Sequence, residues 1–124
     1  MYQDHSAWQA AGQLLLALAF LATGVRNAGW KFQQHLNRMA AYGVPQPRLV
    51  LVAGFVLQFF GGILLALDLW RALGAALLIL FTVAASAIFH RWWRVSDPLL
   101  AHLHLSNLIV NCGLVGGLLL VAAI

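Results

Sequence analysis

Histidines are the side chains of this sequence best suited to chemistry. Four of the five flank apolar stretches of the chain: His35, His90, His102 and His104. Imidazole can transfer protons and can bind Zn, Cu or Fe. Residues at i and i+2 of a helix point about 200° apart, so His102 and His104 would not share one ion, whereas His90 could meet either across a hairpin. Metal or haem binding there stays open, but we favour interfacial histidines whose polar tips lie among lipid headgroups.

Four uncharged polar side chains lie inside or beside the apolar stretches: Gln58, Ser86, Asn107 and Asn111. A polar group without a partner is costly in hydrocarbon, so each should face the interior of a helix bundle. One interpretation is a buried polar pocket that accepts a quinone headgroup or another small ligand. The other is interhelical hydrogen bonding, worth about 0.6 kcal/mol per bond in membranes. We favour hydrogen bonding, because none of the four is ionisable.

Catalytic residues are not predicted. The three acids, Asp4, Asp68 and Asp97, lie at or beyond the ends of the apolar stretches, and short metal signatures such as HExxH are absent. The single cysteine, Cys112, excludes an internal disulfide and a CxxC redox pair, so this chain cannot run dithiol chemistry alone. No cofactor is required by the sequence; quinone is possible, and haem or metal is less favoured.

A second group of candidates combines aromatic and basic residues: Arg91, Trp92, Trp93 and Arg94. Such a group is typical of an interfacial aromatic belt with basic anchors. It could also hold an anionic lipid or dock a partner protein, because an arginine guanidinium can donate two hydrogen bonds to one anionic group and can stack on an aromatic ring. The cations are too few for a nucleic-acid-binding tract.

The elements that must position these residues are membrane helices. Apolar residues make up 63% of the 124 residues and charged residues 8%, more apolar surface than a soluble domain of this size can bury. A span needs roughly 20 apolar residues, and we predict spans at about Trp8–Ala28, Leu49–Leu69, Ala72–His90 and Leu103–Ile124. The prediction is an all-α integral membrane protein, with one antiparallel four-helix domain over residues 1–124.

Charge predicts the orientation. The first and third connections carry six cations: Arg26, Lys31, Arg38, Arg48, Arg91 and Arg94. The other side of the predicted bundle carries one, Arg71. The positive-inside rule then places these two connections in the cytoplasm and both termini outside.

The sequence also predicts local structure in the connections between the spans. Apolar residues between Trp30 and Tyr42 are spaced as in a short amphipathic helix on the membrane surface. Four residues from Asp68 to Arg71 force an antiparallel hairpin, and Asp97 before Pro98 predicts the N-cap of the last helix.

Small residues in the spans predict close helix packing, because lipid provides no hydrophobic drive between helices. The glycines assigned to packing are Gly24, Gly54, Gly61, Gly62, Gly113, Gly116 and Gly117. Gly113 and Gly117 form a GxxxG pair, which allows a homo-oligomer, although a contact within the bundle is favoured. Leu64 is expected to face lipid.

Several segments in order resemble the DoxX family of small four-helix membrane proteins. They are the Gly24 region followed by Gly43-Val44-Pro45, Gly54-x3-Gln58-x2-Gly61-Gly62, Phe89-His90-x-Trp92-Trp93 and Asn111-x4-Gly116-Gly117. Family members commonly have Glu at the position of Gln58 and Lys at that of Val110, so two ionisable groups are missing here. The resemblance implies a bacterial or archaeal cytoplasmic-membrane protein linked to redox systems, acting beside thiosulfate:quinone oxidoreduction or with antioxidant proteins.

Together these observations favour an accessory membrane subunit of a redox assembly that anchors partner subunits and contacts lipid or quinone. One alternative is a stand-alone redox protein that holds haem, metal or quinone near His90, His102 and His104. A small transporter or channel subunit is a further alternative, disfavoured by the lack of charges inside the spans.

Overall fold

The computed structural model describes residues 5–124, and within them the chain is helical with no strand. Five α-helices follow in order: α1 (Ala7–Gly29), α2 (Phe32–Ala41), α3 (Pro47–Leu67), α4 (Arg71–Phe89) and α5 (Pro98–Ala123). A short 3₁₀ turn, Trp92–Arg94, lies between α4 and α5. The four long helices are long and apolar enough to cross a membrane, and α2 is the predicted short surface helix. The predicted four-helix membrane bundle is therefore confirmed.

Local sequence explains where the helices begin and end. Ser6 and Gln9 form a capping box at the start of α1. Asp97 Oδ1 accepts hydrogen bonds from the backbone N–H groups of Leu99 (2.9 Å) and Leu100 (3.4 Å), which is the predicted N-cap of α5. The α3–α4 hairpin is tight because Asp68 and Trp70 both take left-handed backbone conformations.

The two ends of the bundle differ in chemistry. The hairpin end contains the α3–α4 turn, the start of α1 and the end of α5. The basic end contains α2 and the 3₁₀ turn, together with six cations: Arg26, Lys31, Arg38, Arg48, Arg91 and Arg94. Each long helix runs from one end to the other.

Helix packing is tightest between α3 and its neighbours α1 and α4, whereas α5 packs mainly on α4 and barely touches α1. The buried core lies toward the hairpin end: Ala17, Phe20, Leu65, Ala75, Leu78, Leu118 and Val121. Many other large apolar side chains are exposed, as expected where lipid is the solvent.

Glycines produce the closest approach, at the crossing of α3 and α4. A Cβ atom built on Gly61 would lie 2.8 Å from Leu78 Cγ and 3.0 Å from the carbonyl oxygen of Gly74. A Cβ atom on Gly74 would lie 3.0 Å from Leu64 Cβ. Leu64 is only 6% exposed, so the expectation that it faces lipid was wrong: it packs against the Gly74 surface.

The other glycines assigned to packing divide into two groups. Gly24, Gly54, Gly62 and Gly117 face side chains of a neighbouring helix; Gly117, for example, lies against Leu16. A Cβ on Gly113 or Gly116 would meet nothing within 4 Å in residues 5–124. The packing predicted for these two glycines is not found within residues 5–124, because α5 turns their face away from α4.

Candidate functional site

His90 and His104 meet at the basic end. His90 is the first residue after α4, where its N–H still donates to Ser86 O, and His104 lies in the second turn of α5. Their Nδ1 atoms are 3.3 Å apart and form a hydrogen bond across the α4–α5 interface. One ring must donate and the other accept, so the two imidazoles hold one bridging proton between them.

The other two histidines do not join this pair. His102 is exposed, as expected from its opposite direction on the helix relative to His104. His35 on α2 donates from Nδ1 to Lys31 O and packs edge-on against the Phe89 ring, with ring centroids 5.2 Å apart. No group of three or more metal-binding side chains occurs in the described part of the chain.

Arg38 completes the basic-end cluster, which we define as His35, Arg38, Phe89, His90 and His104. From the sequence, Arg38 was one of the cations of the first connection, at a polar position of the predicted surface helix, and its contact with Phe89 became visible only in three dimensions. Its guanidinium carbon lies 5.1 Å from the Phe89 ring centroid, and its Nη2 donates a long bond of 3.5 Å to Phe89 O. Helices α2, α4 and α5 thus each contribute polar or cationic side chains to one place.

The aromatic and basic residues that follow are exposed at the same end. Trp92 and Trp93 pack edge to face, and Trp93 is 59% exposed. Arg91 donates to Ala87 O, and Arg94 is exposed. These side chains form an outward-facing patch beside the His90–His104 pair.

The four uncharged polar residues do not form one pocket. Gln58 Nε2 donates to Phe20 O (2.8 Å) and to Thr23 Oγ1 (3.0 Å), which joins α3 to α1. Asn111 Nδ2 donates to Ser86 Oγ (2.9 Å), which joins α5 to α4. These bonds are the interhelical hydrogen bonding that the sequence favoured.

Asn107 corrects the pocket prediction. It was assigned to the buried group, but it is exposed on α5. The Oε1 atom of Gln58 is also buried, and it accepts no hydrogen bond from residues 5–124.

A polar cluster at the hairpin end was missed by sequence reasoning. Gln13 is fully buried, and its Nε2 donates to Leu65 O (2.9 Å) and to Asp68 Oδ1 (3.0 Å). Arg71 donates to Asp68 Oδ1 (3.0 Å) and to Ile124 O (2.9 Å), and His5 reaches Gln13 Oε1 at 2.7 Å. The sequence feature that could have indicated this cluster is the i, i+3 spacing of Asp68 and Arg71, together with the amide side chain of Gln13. This hairpin-end cluster ties both ends of the described chain to the α3–α4 turn.

Two open cavities lie near these clusters. One of about 510 Å³ adjoins the hairpin-end cluster and is lined by Asp68, Trp70 and Arg71 among others. The other, of about 700 Å³, lies between α2 and the start of α3 and has mainly apolar walls with Arg48 at its edge. Neither contains the His90–His104 pair.

Comparison with known proteins identifies the family. Neither the curated proteins nor the solved structures searched include a match to the chain. The DoxX family model matches residues 10–91, well over half of the chain, which takes in most of α1, all of α2 to α4, and the His90 position. The chain is therefore a multi-pass membrane protein of the DoxX family.

Proposed function

We propose that this protein is an accessory integral-membrane subunit of a quinone-linked redox assembly in a prokaryotic cytoplasmic membrane. The observation that carries the proposal is the convergence of the His90–His104 pair, Arg38 and the exposed Trp93–Arg94 surface at one end. Exposed Trp and Arg side chains are enriched where proteins bind one another. Family membership supplies the link to redox systems.

An anchoring role is supported by how the interior polar groups are used. Gln58, Ser86 and Asn111 bond between helices, so they stabilise the bundle rather than line a shared pocket. The open face of α5 around Gly113 and Gly116 offers a surface for close approach by a partner helix or a second copy. Quinone contact is proposed at the basic end, where imidazoles could donate to a quinone carbonyl.

A stand-alone redox protein is the second candidate. It is favoured by one observation, the 3.3 Å separation of the His90 and His104 Nδ1 atoms, which two ligands of one metal ion could also adopt. Purification separates the two candidates: an accessory subunit elutes with a partner that carries the redox cofactor, whereas a stand-alone protein carries its own.

Orientation is tested by cysteine labelling in a Cys112→Ala background. We expect Gln33→Cys and Ser96→Cys to react with an impermeant maleimide only after the cells are opened, and Leu69→Cys to react in intact cells. The reason is the excess of cations around Gln33 and Ser96. The reverse labelling pattern would contradict the proposed topology.

Docking is tested by replacing residues of the exposed patch. The tagged chain, expressed in its own host, should elute in mild detergent with a cofactor-bearing partner that reduces decylubiquinone. We expect His90→Ala combined with Arg94→Ala to lose most of this partner and activity, because contacts worth on the order of 1–3 kcal/mol are removed.

The control is Arg48→Ala, which removes a cation from the same end of the bundle but outside the exposed patch beside the His90–His104 pair. Because His90 also bonds to α5, the unfolding temperature of each variant is measured without the partner. A chain that elutes without any redox partner, or a double variant that retains its partner fully, would refute the accessory role.

A further inference from the structure

We infer that Arg38 and the His90–His104 pair form a binding site for a phosphate group at the basic end. The phosphate is either the headgroup of an acidic phospholipid or a free phosphate ion. This inference does not depend on the redox assignment.

Charge balance is the first argument. The described carboxylates are Asp68 and Asp97: Asp68 belongs to the hairpin-end cluster, and Asp97 caps α5 through its side chain. Both ion pairs found in residues 5–124 lie at the hairpin end. Arg38 is half-buried against Phe89 and has no carboxylate partner in the described part of the chain. An unpaired, partly desolvated guanidinium is stabilised by an anion from outside the chain.

The geometry of Arg38 is the second argument. Among residues 5–124, only its Nη2 atom has acceptors, at 3.4 Å from Tyr42 Oη and 3.5 Å from Phe89 O, and both bonds are long. Its Nε and Nη1 atoms have no acceptor within the part of the chain that the structure describes. Stacking on Phe89 holds the guanidinium in place, while its Nε–H and Nη1–H groups remain free to donate to phosphate oxygens.

The histidine pair provides a further N–H donor, in addition to those of Arg38. His90 and His104 bond to each other through Nδ1, which leaves both Nε2 atoms without a partner among residues 5–124. The ring that accepts at Nδ1 must carry its hydrogen at Nε2, so one outward N–H is present whichever tautomer forms. Arg38 acts electrostatically on His90, and a nearby fixed positive charge disfavours a metal cation here and favours an anion.

The depth of the site fits a lipid headgroup. It lies where α4 ends and α5 begins, beside the exposed Trp92 and Trp93 rings, which prefer the headgroup layer. A phosphodiester at this level would reach Arg38 while its acyl chains lie along the exposed apolar surface of the bundle.

The test compares lipid binding by the parent protein and three variants in phosphatidylcholine nanodiscs or micelles. Arg38→Gln removes the proposed charge. Arg48→Gln is the matched control, because Arg48 also stacks on an aromatic ring at the basic end, with its guanidinium carbon 5.6 Å from the Phe32 centroid, but does not face His90. The lipid-bound fraction is measured by native mass spectrometry with added phosphatidylglycerol, and the unfolding temperature with added phosphatidylglycerol or inorganic phosphate.

We expect the Arg38→Gln protein to bind phosphatidylglycerol about tenfold more weakly than the parent, the loss typical of one charge-assisted pair. The Arg48→Gln protein should bind as the parent does, and Arg38→Lys should recover part of the affinity because the charge remains without the planar set of N–H donors. If inorganic phosphate raises the unfolding temperature and phosphatidylglycerol does not, the site binds a free ion. If phosphatidylglycerol raises it and inorganic phosphate does not, the site binds a lipid headgroup.

Two results would overturn the inference. One is parental binding of both phosphate sources by Arg38→Gln. The other is an equal loss in Arg38→Gln and Arg48→Gln, which would mean diffuse attraction by the whole basic end. The unfolding temperatures in phosphatidylcholine alone show whether each variant is folded.

Discussion

Gly61→Ala should lower the free energy of unfolding by about 1–3 kcal/mol, the usual cost of overpacking a close contact. The added methyl group would lie 2.8 Å from Leu78 Cγ and 3.0 Å from the carbonyl oxygen of Gly74. A flexible side chain can move away, but the backbone of α4 cannot move without separating the two helices. The loss should be measurable by denaturant titration in mixed micelles.

Gly116→Ala is the matched control for this variant. Both substitutions add one methyl group to a membrane helix and gain the same helix propensity, but the methyl at Gly116 meets no atom within 4 Å in residues 5–124. We expect no loss of stability at Gly116. Equal stability of the two variants would show that the α3–α4 crossing is not as close as the structure has it.

Helix positions were predictable because they depend on local chemistry. Apolar run length, the six cations and the turn residues near Asp68 and Asp97 placed all four spans, and the observed ends differ from the predicted apolar limits by two residues or fewer except at the start of α5. There the cap at Asp97 starts the helix at Pro98, five residues before the apolar stretch that begins at Leu103. Gly61 and Gly62 were assigned to packing for a physical reason that holds here: close backbones need small side chains.

Helix rotation was much harder to predict. In a soluble helix the polar face marks the solvent side, but here lipid and core are both apolar, so Leu64 gave no signal of its direction. Asn107 was misplaced for a different reason: a polar side chain was expected to face the interior, but Asn107 is exposed although it lies four residues from the bonded Asn111. Arg38 and Gln13 were overlooked because their roles depend on contacts with Phe89 and Asp68, 51 and 55 residues away.

The hairpin-end cluster has the features of a structural anchor. Asp68 has a side chain only 9% exposed and receives hydrogen bonds from Gln13 and Arg71. Arg71 also reaches Ile124 O, so one guanidinium connects the α3–α4 turn to the last residue. Removing one member of a buried ion pair leaves the other charge desolvated and uncompensated.

Asp68→Asn should therefore cost about 2–3 kcal/mol of unfolding free energy, less than a fully buried pair loses, because the Arg71 side chain is 20% exposed. Asparagine accepts the left-handed backbone at this position (φ 55°), so the change removes charge without adding strain. Asp97→Asn is the control: it makes the same acid-to-amide change at an exposed N-cap, where asparagine caps as well as aspartate, and should cost almost nothing. Adding Arg71→Gln to Asp68→Asn should recover part of the loss, because the unpaired charge is then gone. If Asp68→Asn were as stable as Asp97→Asn, or if the double variant showed no coupling in denaturant titrations, the cluster would not be an anchor of the fold.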